Sequence, residues 1–231
     1  MRVAIVGKNT ARVSSLKNLL QKQGIHYTTT DPDLVISYGG DGTFLVAERA
    51  YPSIPKLLLR DSHICNKCVN IPVKESLKRI STGKFSITEH VKLAARIPQR
   101  EDELVCTNDF VLRNIAPTHA IRFKLSLNGK LQHKGKEYIG DGIVIATPFG
   151  ADAYYYSITR KTFEKGIGIA FNNLHREQPH VSLREDTKIK LQLTRGDAHF
   201  VADNDPTIHI IHEGEQVFVK KSQHVARIIR F

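Results

Sequence analysis

The chain has 231 residues, 41% of them apolar, enough to build a core of one domain or two modest ones and too many for a disordered tail. Its 34 Lys and Arg against 23 Asp and Glu leave a net charge of +11, which attracts polyanions. The basic residues are scattered and not interleaved with aromatics, so no specific nucleic-acid face is expected. No apolar run reaches about 18 residues and the chain opens on a strand-like pattern, so neither a membrane span nor a signal peptide is expected and the chain is placed in the cytoplasm. Three cysteines are too few, and odd in number, for a disulfide scaffold; they are expected as reduced thiols.

In chain order, residues 2–7 read as a short buried strand. Thr10 to Gln23 follows as a helix with Val13, Leu16, Leu19 and Leu20 on one face and Gly24 as its stop. A strand near 25–30 ends at the turn Asp31-Pro32-Asp33, and the apolar run Leu34-Val35-Ile36-Ser37 leads into Gly39-Gly40-Asp41-Gly42-Thr43. A helix over about 43–50, a strand Lys56–Leu59 and a helix around 74–81 continue the β-α alternation of a parallel sheet. From about residue 84 strands follow one another. Ile121, Phe123, Leu125 and Leu127 alternate with polar neighbours before the hairpin signal Asn128-Gly129, and Ile189, Leu191 and Leu193 repeat the pattern. The expected fold is therefore an α/β N-terminal domain with a parallel sheet, residues 1–84, and a mostly antiparallel β-rich C-terminal domain, residues 85–212. The strand-like tail 213–231 could return to either sheet. Tyr154-Tyr155-Tyr156 at strand spacing would put Tyr154 and Tyr156 on one face.

The first chemical signal is Gly-Gly-Asp-Gly-Thr at the end of a strand and the start of a helix. That position is the carboxyl edge of an open α/β sheet, where ligands bind. Glycines let backbone amides approach phosphate oxygens, and Asp41 can orient a hydroxyl, accept its proton or hold a metal ion. The plain alternative is a Gly-Asp-Gly turn whose glycines serve only positive φ. Two further polar clusters strengthen the first reading. Thr107-Asn108-Asp109 ends an apolar stretch, and Gly140-Asp141-Gly142 feeds a strand and then Thr147-Pro148-Phe149-Gly150-Ala151-Asp152-Ala153-Tyr154. His63, Cys65, Cys68 and Cys106 together would make a nitrogen/sulfur set suited to zinc. One Cys-x-x-Cys without a second pair favours reduced thiols instead, and no metal-binding residue is assigned.

The GGDGT pentad, the Asn-acidic pair and the Gly-Asp-Gly…Thr-Pro-x-Gly…Ala-Tyr segment stand in the order and approximate spacing of NAD kinases. The chain resembles that family over nearly its whole length. Diacylglycerol kinases, sphingosine kinases and 6-phosphofructokinases share the first motif, but the third segment resembles the NAD kinase branch. The resemblance implies transfer of the γ-phosphoryl of ATP, or of polyphosphate, to the 2′-hydroxyl of the adenosine ribose of NAD, with Mg²⁺ on the triphosphate. It makes Asp41 the catalytic base, with Gly39, Gly40, Gly42 and Thr43 around the phosphates. Asn108 and Asp109 match the family's Asn-Glu pair that contacts NAD, and Asp141 matches the acidic residue of its Gly-Asp-Gly turn. Thr147, Asp152, Ala153 and Tyr154 fall on the third segment, with Ala153 and Tyr154 at the adenosine subsite, and Asp203 stands where the family has Asp-Gly. A homodimer or homotetramer is implied as well.

The chain departs from the family in three places. Phe149, Ala151 and Asp152 replace hydroxyl residues, and Asp109 is shorter than Glu by about 1.5 Å, one carbon–carbon bond. Where the family has a Gly-rich segment carrying an aromatic residue near adenine, this chain has residues 60–68, Arg-Asp-Ser-His-Ile-Cys-Asn-Lys-Cys. A related kinase with another hydroxyl acceptor, a catalytically silent nucleotide-binding relative and a basic nucleic-acid-binding module are the alternatives.

Overall fold

The elements in chain order begin with β1 (Arg2–Gly7), α1 (Thr10–Lys22), β2 (His26–Tyr27), β3 (Leu34–Gly39), α2 (Asp41–Ala50), β4 (Lys56–Arg60), α3 (Val73–Ser81) and β5 (Ser86–Arg96). They continue with β6 (Glu103–Cys106), β7 (Asp109–Asn114), β8 (Ile121–Leu127), β9 (Lys130–Leu131), β10 (Tyr138–Gly140), β11 (Gly142–Ala146) and α4 (Tyr154–Thr159). The remainder is β12 (Ile167–Asn172), β13 (Val181–Leu183), β14 (Ile189–Arg195), β15 (Ala198–Ala202), β16 (His209–Ile211) and β17 (Gln216–Arg230). This computed structural model describes residues 1–98, 100–176 and 178–231. The chain divides into two units, Met1–His90 with Val225–Phe231, and Val91–His224.

In the first unit β2, β1, β3, β4 and the end of β17 form a parallel sheet in that order. The central strand β3 is apolar on both faces, as a strand covered by helices on both sides must be, and Leu34, Val35 and Ile36 are buried. Asn9 starts α1 by accepting the backbone N–H of Arg12 on its side-chain oxygen at 3.0 Å, and Leu16 and Leu20 form the buried face. Gly7 pairs with Tyr38 and Gly39 with Arg60, so β1, β3 and β4 end along one edge of the sheet. Lys56 at the start of β4 is fully buried in an ion pair with the buried Glu48 of α2.

The second unit is a sandwich. One sheet runs β10-β8-β14 and the first part of β17; the other runs β13-β12-β11-β7-β15-β16, antiparallel throughout. Alternation along the strands fills the layer between them: Phe123, Leu125, Leu191 and Leu193 from the first sheet meet Phe110, Leu112, Ile143 and Ile145 from the second. Asn128 and Gly129, both at positive φ, make the tight hairpin between β8 and β9 that their sequence predicts.

One expectation is corrected in this part of the chain. Tyr154–Tyr156 lie on helix α4, not on a strand, so Tyr154 and Tyr156 do not share a strand face. Tertiary packing overrides the β-preference of tyrosine here, because Tyr155 is buried edge-on against Phe163 at 5.0 Å while Tyr156 stays exposed. The tail, left open between the two sheets by its sequence, pairs with strands of both. β17 is one 15-residue strand whose first part pairs antiparallel with β14 and whose Ile228 pairs in parallel with Lys56 of β4.

Candidate active site

β3 leaves its sheet at Gly39, and α2 begins two residues later, earlier than the sequence pattern predicts, with Gly40 as its cap and Asp41 on its first turn. Gly39 and Gly40 do not take positive φ. They are glycine because the neighbours are close: a Cβ on Gly39 would stand 2.2 Å from Thr43 Oγ1, and one on Gly40 2.9 Å from the Ile64 carbonyl oxygen. The plain turn reading fails on this point. The start of α2 lies at this sheet edge, and a helix N-terminus attracts anions.

Asp41 is half-buried. Its Oδ2 accepts the backbone N–H of Asn66 at 3.0 Å and its Oδ1 that of Lys67 at 3.1 Å. Two donors from one short turn fix the plane of the carboxylate, and each oxygen keeps a lone pair for a proton from a ligand.

Around Asp41 opens a cavity of about 900 Å³, lined by the GGDGT residues together with Lys8, Arg12, Tyr38, Arg60, Asp61 and His63 among others. The starts of α1 and α2 both face it, since β1 and β3 are neighbours and each feeds its helix at the same sheet edge. Arg12 is ion-paired with Asp61, which holds the guanidinium pKa up. Burial, with the charge of Asp61, pushes the Tyr38 phenol up. Three basic side chains, two helix N-termini and a fixed carboxylate suit a polyphosphate and a hydroxyl that attacks it. Lys8, Arg12 and Arg60 escaped the sequence reading. The one available signal was that Lys8 directly follows a strand predicted to lie beside the GGDGT strand.

The expectation of reduced thiols is corrected. Cys65 and Cys68 form a disulfide, and Cys106 alone is a free thiol, buried in the second unit. Sulfurs joined to each other do not ligate zinc, and among the described residues no group of three or more His, Cys, Asp or Glu is placed to hold a metal ion. The two residues inside the disulfide ring, Asn66 and Lys67, are the ones whose amides meet Asp41.

In the second unit the structure gathers Asn108, Asp109, Thr147, Gly150 and Asp203. The carboxylate of Asp203 accepts the backbone N–H groups of Thr107, Asn108 and Asp109 at 2.8, 2.7 and 3.2 Å. Thr147 N–H donates to the Asn108 carbonyl at 2.8 Å, and Thr147 Oγ1 donates to Thr107 and accepts from the N–H of Gly150. A Cβ on Gly150 would stand 2.3 Å from the Asn108 carbonyl oxygen, so this glycine serves close packing. Burial, then the charge of Asp203, pushes the Asp109 carboxyl up to about 7. Burial also raises Asp203, while the three amides and the buried Lys92 hold it down.

Asp141 lies apart from this cluster. β11 runs between them: its last residue, Ala146, pairs with Asp109, whereas its first, Gly142, pairs with Arg113. At that far end Asp141 accepts from Asn114 Nδ2 at 3.3 Å and Asn173 Nδ2 at 3.0 Å. Tyr154 begins α4, its hydroxyl accepting from Asn172 Nδ2 at 3.3 Å, and Asp152 and Ala153 are half-buried just before it. Phe149 and Ala151 are buried, so two of the replaced hydroxyl positions are core positions.

No family model matches the chain. It is 28% identical over 232 residues to the NAD kinase of Sulfurisphaera tokodaii, covering 94% of this chain and 88% of that protein. It is 26% identical over 243 residues to the NAD kinase of Saccharolobus solfataricus, covering 100% of this chain and 94% of that one. Among solved structures, an NAD kinase from Archaeoglobus fulgidus in complex with ATP superposes with a TM-score of 0.82 at 16% identity, over 100% of this chain and 94% of that one. Yeast NADH kinase complexed with NADH gives a TM-score of 0.83 at 14% identity, over 100% and 83%.

Proposed function

We propose that this chain, which belongs to the NAD kinase family, transfers the γ-phosphoryl of ATP to the 2′-hydroxyl of the adenosine ribose of NAD, giving NADP. The observation that carries the mechanism is the Asp41 carboxylate, held by two backbone amides at the start of α2 and at the wall of a cavity with three basic side chains. In this reading Asp41 orients the 2′-hydroxyl and accepts its proton as the new P–O bond forms to the γ-phosphorus, while the bond from that phosphorus to the β–γ bridging oxygen breaks and ADP leaves with the electron pair. The positive end of the α2 dipole, with Lys8, Arg12 and Arg60, takes the charge of the phosphates, and Gly39, Gly40, Gly42 and Thr43 lie around them. In the second unit Asn108 and Asp109 bind the dinucleotide, their loop held by Asp203 and Thr147. Asp141, Asp152, Ala153 and Tyr154 are further dinucleotide contacts.

Mg²⁺ fits this cavity as a passenger of the triphosphate: Asp41 and Asp61 are its carboxylates, a hard-oxygen set too small for a cage made of protein alone. When bound, the ion neutralises phosphate charge. Cytoplasmic location and assembly as a homodimer or homotetramer belong to the same proposal. No helix among the described residues is long and apolar enough to cross a membrane.

The test is a coupled assay for NADP from NAD, ATP and Mg²⁺, run on the wild type and Asp41→Asn. The substitution keeps the shape of the side chain and should cut turnover by about 10²–10⁴-fold, the usual worth of a general base. Binding of ATP and NAD should stay measurable by calorimetry. Undiminished turnover in the variant would remove Asp41 from the mechanism, and no product from the wild type would remove the reaction.

A further inference from the structure

We propose that Cys65 and Cys68 form a thiol–disulfide exchange site for a dithiol reductant, and that its oxidation state sets the alignment of Asp41. The second half of the proposal rests on the reading of Asp41 as the catalytic base.

The disulfide closes a ring that contains only Asn66 and Lys67 between the two cysteines, and these two residues supply the amides that meet the two oxygens of Asp41. Cys65 Sγ itself lies 3.2 Å from Asp41 Oδ1, and Cys68 Sγ lies 3.7 Å from the Gly39 carbonyl oxygen. The turn is tied down on both sides, with Arg60 Nη2 donating to the Cys65 carbonyl at 2.8 Å and Arg230 Nη1 to the Lys67 carbonyl at 3.1 Å. The disulfide thus touches the carboxylate through Cys65 Sγ and brackets the two residues that donate to it.

A disulfide closing so short a loop stands at the bottom of the chain-entropy scale, so the bridge is poorly explained as a staple for the fold. In the reducing cytoplasm proposed above, a disulfide is transient and catalytic or regulatory. Cys65 is buried at 4% exposure while Cys68 is half-buried, so an attacking thiolate reaches Cys68. The reductant's sulfur bonds to Cys68 Sγ, the S–S bond breaks, and Cys65 Sγ leaves with the electron pair and takes a proton. The reductant's second thiol then displaces Cys68, which also ends as a thiol, and the reductant leaves as its own disulfide. Two electrons and two protons pass from the dithiol to the cysteine pair.

Reduction changes what Asp41 meets. A disulfide sulfur carries no hydrogen, whereas the Cys65 thiol donates to Oδ1, the oxygen already used by Lys67 N–H. Opening the ring at the same time releases the turn that aims both amides. The oxidised state therefore holds the carboxylate in line, and the reduced state lets it turn.

The experiment compares air-oxidised protein with protein reduced by dithiothreitol, in the wild type, Cys65→Ser/Cys68→Ser and Asp41→Asn. Iodoacetamide labelling with peptide mapping should leave Cys65 and Cys68 unlabelled in the oxidised form and label both after reduction. Hydrogen exchange of the peptide spanning residues 61–69 should quicken on reduction, in the wild type and in Asp41→Asn alike. In the NADP assay kcat should fall about tenfold on reduction, the equivalent of losing one charge-assisted hydrogen bond, with the KM for ATP little changed. The double serine variant should sit at the reduced level and ignore dithiothreitol. Labelling of both cysteines before reduction, or equal exchange in the two states, overturns the site. Equal kcat in two states that label differently overturns its control of Asp41. If no state makes NADP, the reading of the reaction fails, while labelling and exchange still decide the exchange site.

Discussion

Asp203 accepts the backbone N–H of Asn108 at 2.7 Å across 95 residues of sequence, and its two oxygens also take the amides on either side of Asn108. The residue therefore acts on the 107–109 loop as a buried anchor. Asp203→Ala leaves three inward amides without an acceptor, at a cost of about 3 kcal/mol in unfolding free energy, and Asp203→Asn, which keeps one acceptor oxygen, should cost less. Urea denaturation of both variants measures this. A loss within error for Asp203→Ala would show that the loop stands without it.

Asp109 brings a pH dependence with a definite sign. Its carboxyl sits at about 7 in the folded chain against the ordinary 3.8, through burial and then the charge of Asp203. Between these values the folded state binds the extra proton, so stability falls as pH rises from about 4 to 7 and the full penalty is present above that window. Asp109→Asn should remove this slope and be the more stable protein at pH 8 by an amount on the order of a few kcal/mol. Denaturation midpoints at pH 5 and pH 8 for wild type and variant check it.

The buried pair Lys56–Glu48 predicts an asymmetry between single and double replacement. Lys56→Met leaves the carboxylate of Glu48 buried without its charge partner, which costs about 3–5 kcal/mol. Lys56→Met with Glu48→Leu replaces the pair by packing apolar groups and should recover most of that loss. A double variant as unstable as the single one would contradict this account.

Two glycines separate close contact from backbone conformation. Gly150→Ala forces a Cβ to within 2.3 Å of the Asn108 carbonyl oxygen, so the backbone must move; about 2 kcal/mol of stability should go, and the KM for NAD should rise. Gly24→Ala meets nothing within 4 Å and costs about 1 kcal/mol, through its positive φ of 69° alone, with kinetics unchanged. Thermal melts and NAD titrations of the two variants distinguish the causes.

The sequence by itself determined whatever neighbouring residues decide. The run Leu34–Ser37 ending in two glycines and an aspartate specifies strand, turn and helix start within ten residues, so the place of Asp41 at a strand-to-helix junction is legible in the sequence. Asn128-Gly129 specified its hairpin in the same way, because positive φ at two consecutive positions is a local demand. Tertiary structure alone decided what depends on register and on distant partners. The pairing of Gly7 with Tyr38 and of Gly39 with Arg60 brings Lys8, Arg12 and Arg60 to the cavity around Asp41, and no local pattern encodes that pairing. The division between units falls at residues 90 and 225, where the sequence carries no turn signal. Cys65-x-x-Cys68 is compatible with thiols, a metal or a disulfide. The tertiary structure shows the disulfide, and it sets the amides of Asn66 and Lys67 against a carboxylate 25 and 26 residues earlier in the chain, a long-range contact that sequence spacing does not contain.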